Sequence, residues 1–240
     1  MKLSIHQPDF WPWAGLFNKI ACSDRFVIFD RVQAPRGKSW LTRNRILLNG
    51  NPLWLTLPIL RSANQKINEV KINQEVKYKT KHLGTMKQAY AKAEYFKEVF
   101  AFVENLYAKD YENASSFSLQ IIKAICDKLK INTEFIGVSE LIPDDEWSRL
   151  SGNSLILEIC KKGGANNYLS GMGCLDFIKP DEFKKEGITF QFQKLLHLEY
   201  RQLCAPVFQP NMSVLDILFN LGFEQSADII SRGFFFDEVV

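Results

Sequence analysis

Cysteine and histidine are both scarce in this 240-residue chain, which has five cysteines and three histidines. The cysteines are scattered and odd in number, and no two of them have the spacing of a zinc finger or a Cys-x-x-Cys motif. We therefore predict reduced thiols and no disulfide framework. The histidines, His6, His82 and His197, are too widely dispersed to indicate a metal site, so we predict no bound metal.

Long apolar runs and a large charge excess are also missing. The N-terminus reaches the polar residues His6 and Gln7 too soon for a secretory signal, and no apolar run approaches the length of a membrane span. We predict a cytoplasmic protein without a membrane span. The 30 basic and 27 acidic residues leave a net charge of +3, which does not indicate a nucleic-acid partner.

Several well-known catalytic motifs are absent. The chain has no GxSxG elbow, no P-loop and no GxGxxG following a predicted strand. These absences argue against a serine hydrolase with a nucleophile elbow, a P-loop nucleotidase and an enzyme with the usual dinucleotide fingerprint. A function has to be sought in other residues.

Hydrophobic residues make up 46% of the chain, enough for a sizeable core. The pattern at the start predicts a strand over residues 3–6, a helix over 13–20 and a strand over 25–30. A strand, a helix and a second strand at this spacing form a βαβ unit, so the two strands are expected to be parallel.

Further along the chain, Asn49 and Gly50 between two apolar runs predict a β-hairpin. Residues 76–130 are typical of helices, and a last helix over 214–221 is predicted to end at Gly222. The alternation of strands and helices predicts an α/β fold with a mostly parallel sheet. We predict one domain over residues 1–240, with its core in 1–75 and 131–240 and a helical insertion at 76–130.

Polar residues follow the first two predicted strands. His6 and Gln7 come after the first strand and Asp30 ends the second, with Trp13 close by in sequence. Because ligands of open α/β sheets bind beyond the carboxyl ends of the strands, these residues are predicted to line one cleft. The alternative is that His6 is hydrogen-bonded locally and Asp30 caps a turn.

A basic stretch covers residues 31–45 and contains no acidic residue. Guanidinium groups fork onto phosphate oxygens, which favours anion binding. The alternative is a solvated loop that leads into a charged hairpin edge. Arg43, next to Asn44, is the favoured phosphate ligand. The basic residues of the stretch are Arg31, Arg36, Lys38, Arg43 and Arg45.

Two later segments supply further candidates. Lys81 and His82 begin a predicted helix face that Tyr90 shares, and His82 suits a general base or a phosphate ligand. The alternative is a partly exposed histidine on an amphipathic surface helix. Tyr168 and Ser170 precede Gly171, which would let the backbone approach a ligand, although a helix stop and a turn explain the segment equally well.

These segments together resemble the WbqC-like protein family, in order and over nearly the whole chain. The matching stretches are "IHQPDFWPWAGLFNKI" at 5–20, "FVIFDRVQ" at 26–33, "WLTRNRI" at 40–46, "WLTLPI" at 54–59, "KHLGTMKQAY" at 81–90, "ICKKGGANNYLSG" at 159–171 and "SVLDILFNLG" at 213–222. The chain departs from the family pattern at residues 172–174 and at Leu198 after His197. The family pattern falls on His6, Gln7, Pro8, Pro12, Trp13, Gly15, Lys19, Asp30, Gln33, Arg43, Asn44, Lys81, His82, Tyr90, Tyr168, Ser170, Gly171, Asp216 and Asn220.

The opening segment also resembles, weakly, the nucleotidyltransferase-like (HUP-type) branch of α/β proteins. In that branch a first strand leads into a loop and a helix that carry an HxGH motif. The corresponding residues here, 12–15, read Pro-Trp-Ala-Gly and lack both histidines. The resemblance therefore implies a fold, and its adenylylating chemistry does not carry over.

The resemblance to the WbqC-like family implies a role with bacterial O-antigen and other surface polysaccharides, and transfer of glycine or another acyl group to an amino sugar. The predicted partners are a nucleotide-linked sugar and an acyl donor activated by ATP or as a coenzyme A thioester; a homo-oligomer stays open. The alternatives are a non-catalytic nucleotide-sugar binding protein and a nucleotidyltransferase-like enzyme.

The candidate site residues divide into a catalytic and a binding group. His6 or His82 would take the proton of the amine, and Asp30 would orient the base. Gln7, Asn44 or an amide near Gly171 would stabilise the oxyanion, and Arg43 with Arg36 and Lys38 would hold a pyrophosphate. The candidate substrate-binding residues are Gln7, Trp13, Gln33, Arg36, Lys38, Arg43, Asn44, Lys81, Tyr90, Tyr168, Ser170 and Gly171.

Overall fold

The strands form a central sheet and a separate hairpin in the computed structural model, which describes residues 1–194 and 199–232 and the backbone of residues 195 and 234–238. His197 and Leu198 lie outside the described residues. In chain order the strands are β1 (Lys2–His6), β2 (Arg25–Ile28), β3 (Arg43–Leu48), β4 (Asn51–Thr56), β5 (Glu134–Gly137), β6 (Asn167–Gly171), β7 (Thr189–Leu195) and β8 (Phe234–Glu238).

Helices cover both faces of the sheet. None of those in the described ranges has the length and apolar character needed to cross a membrane. In chain order they are α1 (Ala14–Ala21), α2 (Tyr78–Tyr90), α3 (Phe96–Ala108), α4 (Ala114–Lys128), α5 (Val138–Leu141), α6 (Asp144–Trp147), α7 (Gly152–Lys162), α8 (Pro180–Lys185) and α9 (Val214–Arg232).

The central sheet has the strand order β5-β2-β1-β6-β7-β8. The first five strands of this order are parallel, which confirms the α/β class and the parallel β1–β2 pair. β8 is antiparallel to β7 and was not predicted. β2 ends at Ile28, so the strand predicted to reach Asp30 is shorter. The chain builds outward from β1 to β2 and β5, then returns to β6 on the other side of β1, which makes the β1–β6 boundary the switch point.

The predicted hairpin is present as β3 and β4. Asn49 and Gly50 have φ values of 52° and 76°, so both adopt the left-handed conformation of a two-residue type I′ turn. Gly50 is also required by a close approach, because a Cβ atom there would lie 2.3 Å from the carbonyl oxygen of Cys204. All five cysteines are free thiols.

Two hydrophobic cores lie on opposite faces of the sheet, because successive side chains of a strand point to opposite sides. Leu3, Ile5 and Val27 belong to the smaller core, together with side chains of α7 and α8. Phe26 and Ile28 belong to the larger one, which also holds residues of α1–α4, the hairpin and α9. Residues 76–130 form α2, α3 and α4 and share this larger core; their status as an insertion stays a prediction.

α9 packs against both α1 and α3. The predicted end at Gly222 is a break inside this longer helix, where Gly222 has φ 70° and ψ −176° and the chain then resumes a helical course to Arg232. A Cβ atom at Gly222 would lie 2.5 Å from the Tyr95 ring. Glycine is therefore required twice at this position, by its backbone angles and by the close approach of the ring.

Candidate functional site

A cleft of about 640 Å³ opens at the carboxyl ends of β1 and β6, at the switch point of the sheet. This is the position at which open α/β sheets bind ligands, and the volume suits a drug-sized molecule. His6 ends β1, Gly171 ends β6, and both line the cleft. The indoles of Trp13 and Trp40 also line it, and Trp40 is 47% exposed. The exposed Trp40 ring provides a face on which a planar group can stack.

His6 lines the cleft with one ring nitrogen in use. Its Nδ1 lies 2.8 Å from the carbonyl oxygen of Gln7, and because a carbonyl only accepts, Nδ1 carries the hydrogen. Nε2 is then an acceptor without a partner among the described residues. Burial and the nearby Lys19 charge lower the pKa of His6 to about 4. At neutral pH the ring is therefore a neutral hydrogen-bond acceptor and too weak a base to deprotonate an ammonium group.

Asp9 is a buried acid in the wall of the same cleft. It is 8% exposed, and the described residues offer its carboxyl group no hydrogen-bond donor. Burial raises its pKa to about 7, so it gains and loses its proton near neutrality. A buried carboxyl group without a partner is costly, and such groups are concentrated at functional sites.

Lys19 is a buried cation that also lines the cleft. It is 3% exposed, and its Nζ donates to the carbonyl oxygen of Ile5 at 2.9 Å. In the described part of the chain it forms no ion pair with an acid. Burial lowers its pKa to about 8, so the ammonium form still dominates at neutral pH.

The loop between β1 and α1 is held in an unusual conformation. Trp11 has φ 43°, which is strained for a bulky residue. The side-chain amide of Asn44 donates to the carbonyl oxygen of Trp11 at 2.8 Å. The indole Nε1 of Trp11 donates to the Tyr107 hydroxyl at 3.0 Å. These bonds fix the loop that carries Asp9 and Trp13 into the cleft.

Gly15 lets the Trp13 indole fold back over the start of α1. A Cβ atom at Gly15 would lie 2.3 Å from Cη2 of Trp13. Any larger residue would therefore push the indole out of its place in the lining.

The structure gathers six of the predicted residues in the lining of this cleft. Ser170 lies just behind it, buried, with its hydroxyl group donating to the Gly171 carbonyl oxygen at 3.2 Å. The six are His6, Gln7, Trp13, Asn44, Tyr168 and Gly171.

His82 does not reach the cleft. It is 3% exposed, and its nitrogens lie 3.0 Å from the Tyr107 hydroxyl and 3.0 Å from the Thr56 carbonyl oxygen. The carbonyl fixes the hydrogen on Nε2, and the Tyr107 hydroxyl, which accepts from Trp11, donates to Nδ1. Both nitrogens are therefore occupied, so we do not retain His82 as a catalytic candidate, nor as a partly exposed surface residue.

Asp30 and Arg31 are also held outside the lining. Asp30 is half-buried, accepts from the Ser115 hydroxyl at 3.4 Å, and has its pKa raised by burial. The buried guanidinium of Arg31 bonds to Asp144 and to the carbonyl oxygen of Ile142, and its centre lies 4.6 Å from the Trp147 ring. Arg31 is thus structural, and Asp30 does not meet His6 in the cleft.

The rest of the basic stretch is divided between solvent and the hairpin. Arg36 and Lys38 are exposed, and Arg43 lies with its guanidinium 4.0 Å from the Trp54 ring centre. Arg45, which was not favoured, lines the cleft. Its Nε is buried and has no hydrogen-bond partner in the described part of the chain.

Three further candidates lie away from the cleft. Gln33 is exposed and donates to the Asn64 side chain at 3.4 Å, beside a separate depression of about 270 Å³. Lys81 is exposed on α2. Tyr90 is buried, and its hydroxyl donates to Asp216 at 2.8 Å and accepts from the Leu47 amide. These positions are compatible with structural roles.

The sequence did not indicate site roles for Asp9 and Lys19, the buried acid and the buried lysine of the lining, and Lys19 was predicted only as a position of the family pattern. Both lie within residues 5–20, yet nothing in their local pattern shows that they are buried. The usable signal was their distance from the end of β1, since the loop and helix that follow a first strand border the switch point.

The chain has clear relatives over most of its length. The WbqC-like protein family matches residues 7–228. The uncharacterized protein Rv1507c of Mycobacterium tuberculosis is 28% identical over 228 residues, which cover 93% of this chain and 95% of that protein. No solved structure matches this chain significantly. The family match takes in most of the cleft lining, the hairpin and nearly all of the helices of the larger core, and the chain belongs to the WbqC-like protein family.

Proposed function

We propose that this protein transfers an acyl or aminoacyl group, such as glycyl, to the amino group of a nucleotide-linked amino sugar used for bacterial surface polysaccharide. The observation that carries the proposal is Asp9, a buried carboxyl group without a partner in the wall of a ligand-sized cleft. Its raised pKa, about 7, suits a group that binds an ammonium and takes its proton at neutral pH.

The reaction begins when the ammonium group of the sugar bonds to the Asp9 carboxylate. Asp9 accepts one proton, and the free amine attacks the carbonyl carbon of the activated acyl donor. The new C–N bond forms, the tetrahedral intermediate loses its second N–H proton, and the bond to the donor's leaving group breaks. The protons pass to the leaving group and to solvent. The amide side chain of Gln7, which lines the cleft, is the donor we assign to the oxyanion.

The other lining residues would hold the substrate. Neutral His6 offers Nε2 as an acceptor for a sugar hydroxyl or the amine, and the exposed Trp40 ring offers a face for the nucleobase. The phosphate role predicted for Arg36, Lys38 and Arg43 is not retained, because these residues lie outside the lining. ATP or a coenzyme A thioester remains the proposed means of activating the donor.

The proposal includes a nucleotidyltransferase-like (HUP-type) relationship for the fold. It is supported by the order of the five parallel strands and by the place of the cleft at the switch point. The missing histidine pair at residues 12–15 is the reason why we propose acyl transfer and not adenylylation.

The test begins with a thermal-shift panel of ATP, coenzyme A, acetyl-coenzyme A and the dTDP, UDP, GDP and CDP nucleotides, with and without Mg²⁺. A ligand that binds only the folded state raises the melting temperature. The amino sugar linked to the selected nucleotide is then incubated with acyl and glycyl donors, and mass spectrometry measures amide formation.

Asp9→Asn is the decisive variant and Asp30→Asn is its matched control outside the cleft. We expect Asp9→Asn to bind the nucleotide sugar and to lose about 10²–10⁴-fold in turnover, the usual contribution of a general base. Asp30→Asn should keep its turnover. Full turnover by Asp9→Asn would overturn the assignment, and tight binding with no acylation by any donor would favour the non-catalytic binding protein.

A further inference from the structure

A smaller pocket of about 270 Å³ adjoins the main cleft. The two share His6, Trp13, Lys19, Gly171 and Gly173 in their linings, and Gln193 is among the residues that only the smaller one has. The amide nitrogen of Gln193 is already in use, since Nε2 donates to the Gly15 carbonyl oxygen at 3.0 Å and to the Asn18 side chain at 2.9 Å. The pocket is therefore a fixed recess whose charged lining residue is Lys19.

The positive charge of Lys19 has no counter-ion in the described part of the chain. Arg31, a buried cation elsewhere, shows the usual solution, because it is paired with Asp144 and covered by Trp147. An ammonium group has three N–H donors, and the Ile5 carbonyl oxygen occupies one. A buried, unneutralised charge destabilises a fold, so the two remaining donors point to an anionic ligand.

Gly171 leaves the approach to the Lys19 ammonium open. A Cβ atom at this position would lie 3.9 Å from Nζ, in the space that a ligand atom needs. The backbone of Gly171 is ordinary extended chain, with φ −86° and ψ 156°. Its backbone does not require glycine, and alanine would fit without strain.

We propose that this recess, here called the Lys19 pocket and lined by His6, Trp13, Gly15, Leu16, Lys19, Gly171, Met172, Gly173 and Gln193, binds a phosphate group of the substrate through the Lys19 ammonium. Lysine binds phosphate as a point charge. The inference rests on the proposed function in one respect, because a nucleotide-linked sugar supplies the phosphate. It assigns the phosphate end of that substrate to the Lys19 pocket.

The charge of Lys19 sets the pH range of this binding. Its pKa, about 8, means that phosphate binding weakens as the pH rises above that value. The titratable groups that face it are His6 on β1, Cys160 on α7 and Cys174 in the turn after β6. His6 is neutral at this pH, and burial raises the pKa of the Cys160 thiol, so neither removes the charge of Lys19.

The test is a calorimetric titration of the full chain with inorganic pyrophosphate at neutral pH, with acetate and glycine as carboxylate probes. The variants are Lys19→Met, which removes the charge at similar volume, and Gly171→Ala, which keeps the charge and fills its approach. Gly84→Ala is the matched control, since Gly84 is exposed on α2 and a Cβ atom there contacts nothing within 4 Å.

Wild type and Gly84→Ala should bind pyrophosphate equally, and both site variants should bind it at least about tenfold more weakly, a change that a lost charge-assisted hydrogen bond supplies. The melting temperature of each unliganded variant reports whether it is folded. Unchanged binding in folded Gly171→Ala and Lys19→Met, no binding by wild type, or binding of the carboxylates alone would each overturn the inference.

The same variants separate this inference from the proposed function. Pyrophosphate binding that depends on Lys19, without acylation of any amino sugar, would leave the Lys19 pocket standing and remove the transferase. If Lys19→Met acylates the amino sugar with an unchanged KM for the nucleotide sugar, the transferase would stand and the assignment of the Lys19 pocket would fall.

Discussion

His6 and His82 look alike by the usual measures of a catalytic histidine, yet their surroundings differ. Burial lowers the pKa of both to about 4. His82 has a partner on each ring nitrogen and lies among Phe10, Tyr78 and Tyr107, with ring centroids at 5.8, 5.7 and 5.8 Å. His6 has one partner, the carbonyl of the next residue, and borders a cleft. The two histidines therefore differ in whether a ring nitrogen remains available to bind a ligand: Nε2 of His6 does, and neither nitrogen of His82 does.

The same comparison applies to other buried ionisable residues. Arg31 and Asp216 are buried and have charged or polar partners: Arg31 is paired with Asp144, and Asp216 accepts from Tyr90 and Tyr200 at 2.8 Å each. Asp9 and Lys19 are equally buried and border the cleft with capacity to spare. Rarity of a residue type and a shifted pKa do not separate the two groups, whereas unsatisfied donors and acceptors do.

The largest effect on stability is expected at His82, where both ring nitrogens have a hydrogen-bond partner. His82→Ala removes a packed ring, the acceptor of the Tyr107 O–H and the donor to the Thr56 carbonyl oxygen, which should cost about 3–5 kcal/mol. Urea unfolding measures the loss, and ligand binding per folded molecule should be unchanged. A loss under about 1 kcal/mol would mean that the network around His82 is not structural.

Asp9→Asn should raise the free energy of unfolding, in contrast to His82→Ala, and the size of the increase should depend on pH. The folded pKa of Asp9 is about 7 against an ordinary 3.8, so the folded state holds the extra proton and loses stability as the pH rises between these values. At about 1.4 kcal/mol per unit, the full loss is on the order of 4 kcal/mol above pH 7. The variant should therefore be more stable than wild type above pH 7, with the difference vanishing near pH 4.

Urea unfolding of both proteins across this range provides the measurement. Because only the difference between them is used, other titrating groups cancel. Two curves that stay parallel from acid to alkaline pH would show that Asp9 is not a desolvated acid and would remove it from the mechanism.

Tyr107→Phe and Tyr78→Phe sharpen the comparison within one aromatic cluster. The Tyr107 hydroxyl accepts from Trp11 and bonds to His82, so its removal should cost about 1–3 kcal/mol. The Tyr78 hydroxyl is buried without a hydrogen-bond partner in the described residues, so its removal should be neutral or stabilising. Equal unfolding midpoints for the two variants would contradict the hydrogen-bond assignment.

Among the residues that line the cleft, the smallest effect on stability is expected at His6. His6→Ala breaks one local hydrogen bond and should change the free energy of unfolding by less than about 1 kcal/mol near pH 7.5, where the histidine is neutral in both states. Binding of the nucleotide sugar should fall about tenfold through loss of the Nε2 acceptor. A large loss of stability with normal binding would reverse the roles assigned to the two histidines.

The parts of the fold that depend on local pattern could be predicted. The β1-α1-β2 unit follows from apolar spacing, and the hairpin follows from Asn49 and Gly50, whose positive φ angles match the turn that the pair favours. The six lining residues found from the sequence all lie at strand ends or in the loops beside them, where the general rule for α/β sheets places a ligand.

The roles of the other residues could not be predicted, because they depend on partners that are distant in the sequence. The sequence predicted Arg31 as part of a basic loop, because its carboxylate partner, Asp144, lies 113 residues further along the chain. His82 is saturated by residues 25 and 26 positions away. Whether Asp9 and Lys19 are buried, and whether any group neutralises them, are properties of the assembled structure that no local pattern records.

The packing of α9 on α1 and α3 has a consequence for synthesis on the ribosome. α1 and the helices at 78–128 emerge before α9, so the apolar surface that faces α9 stays uncovered until residues 214–232 have left the exit tunnel. Translation from the N-terminus therefore completes the larger core last. We expect nascent chains that stop before Val214 to recruit chaperones, whereas the smaller core can already close once β7 has been made.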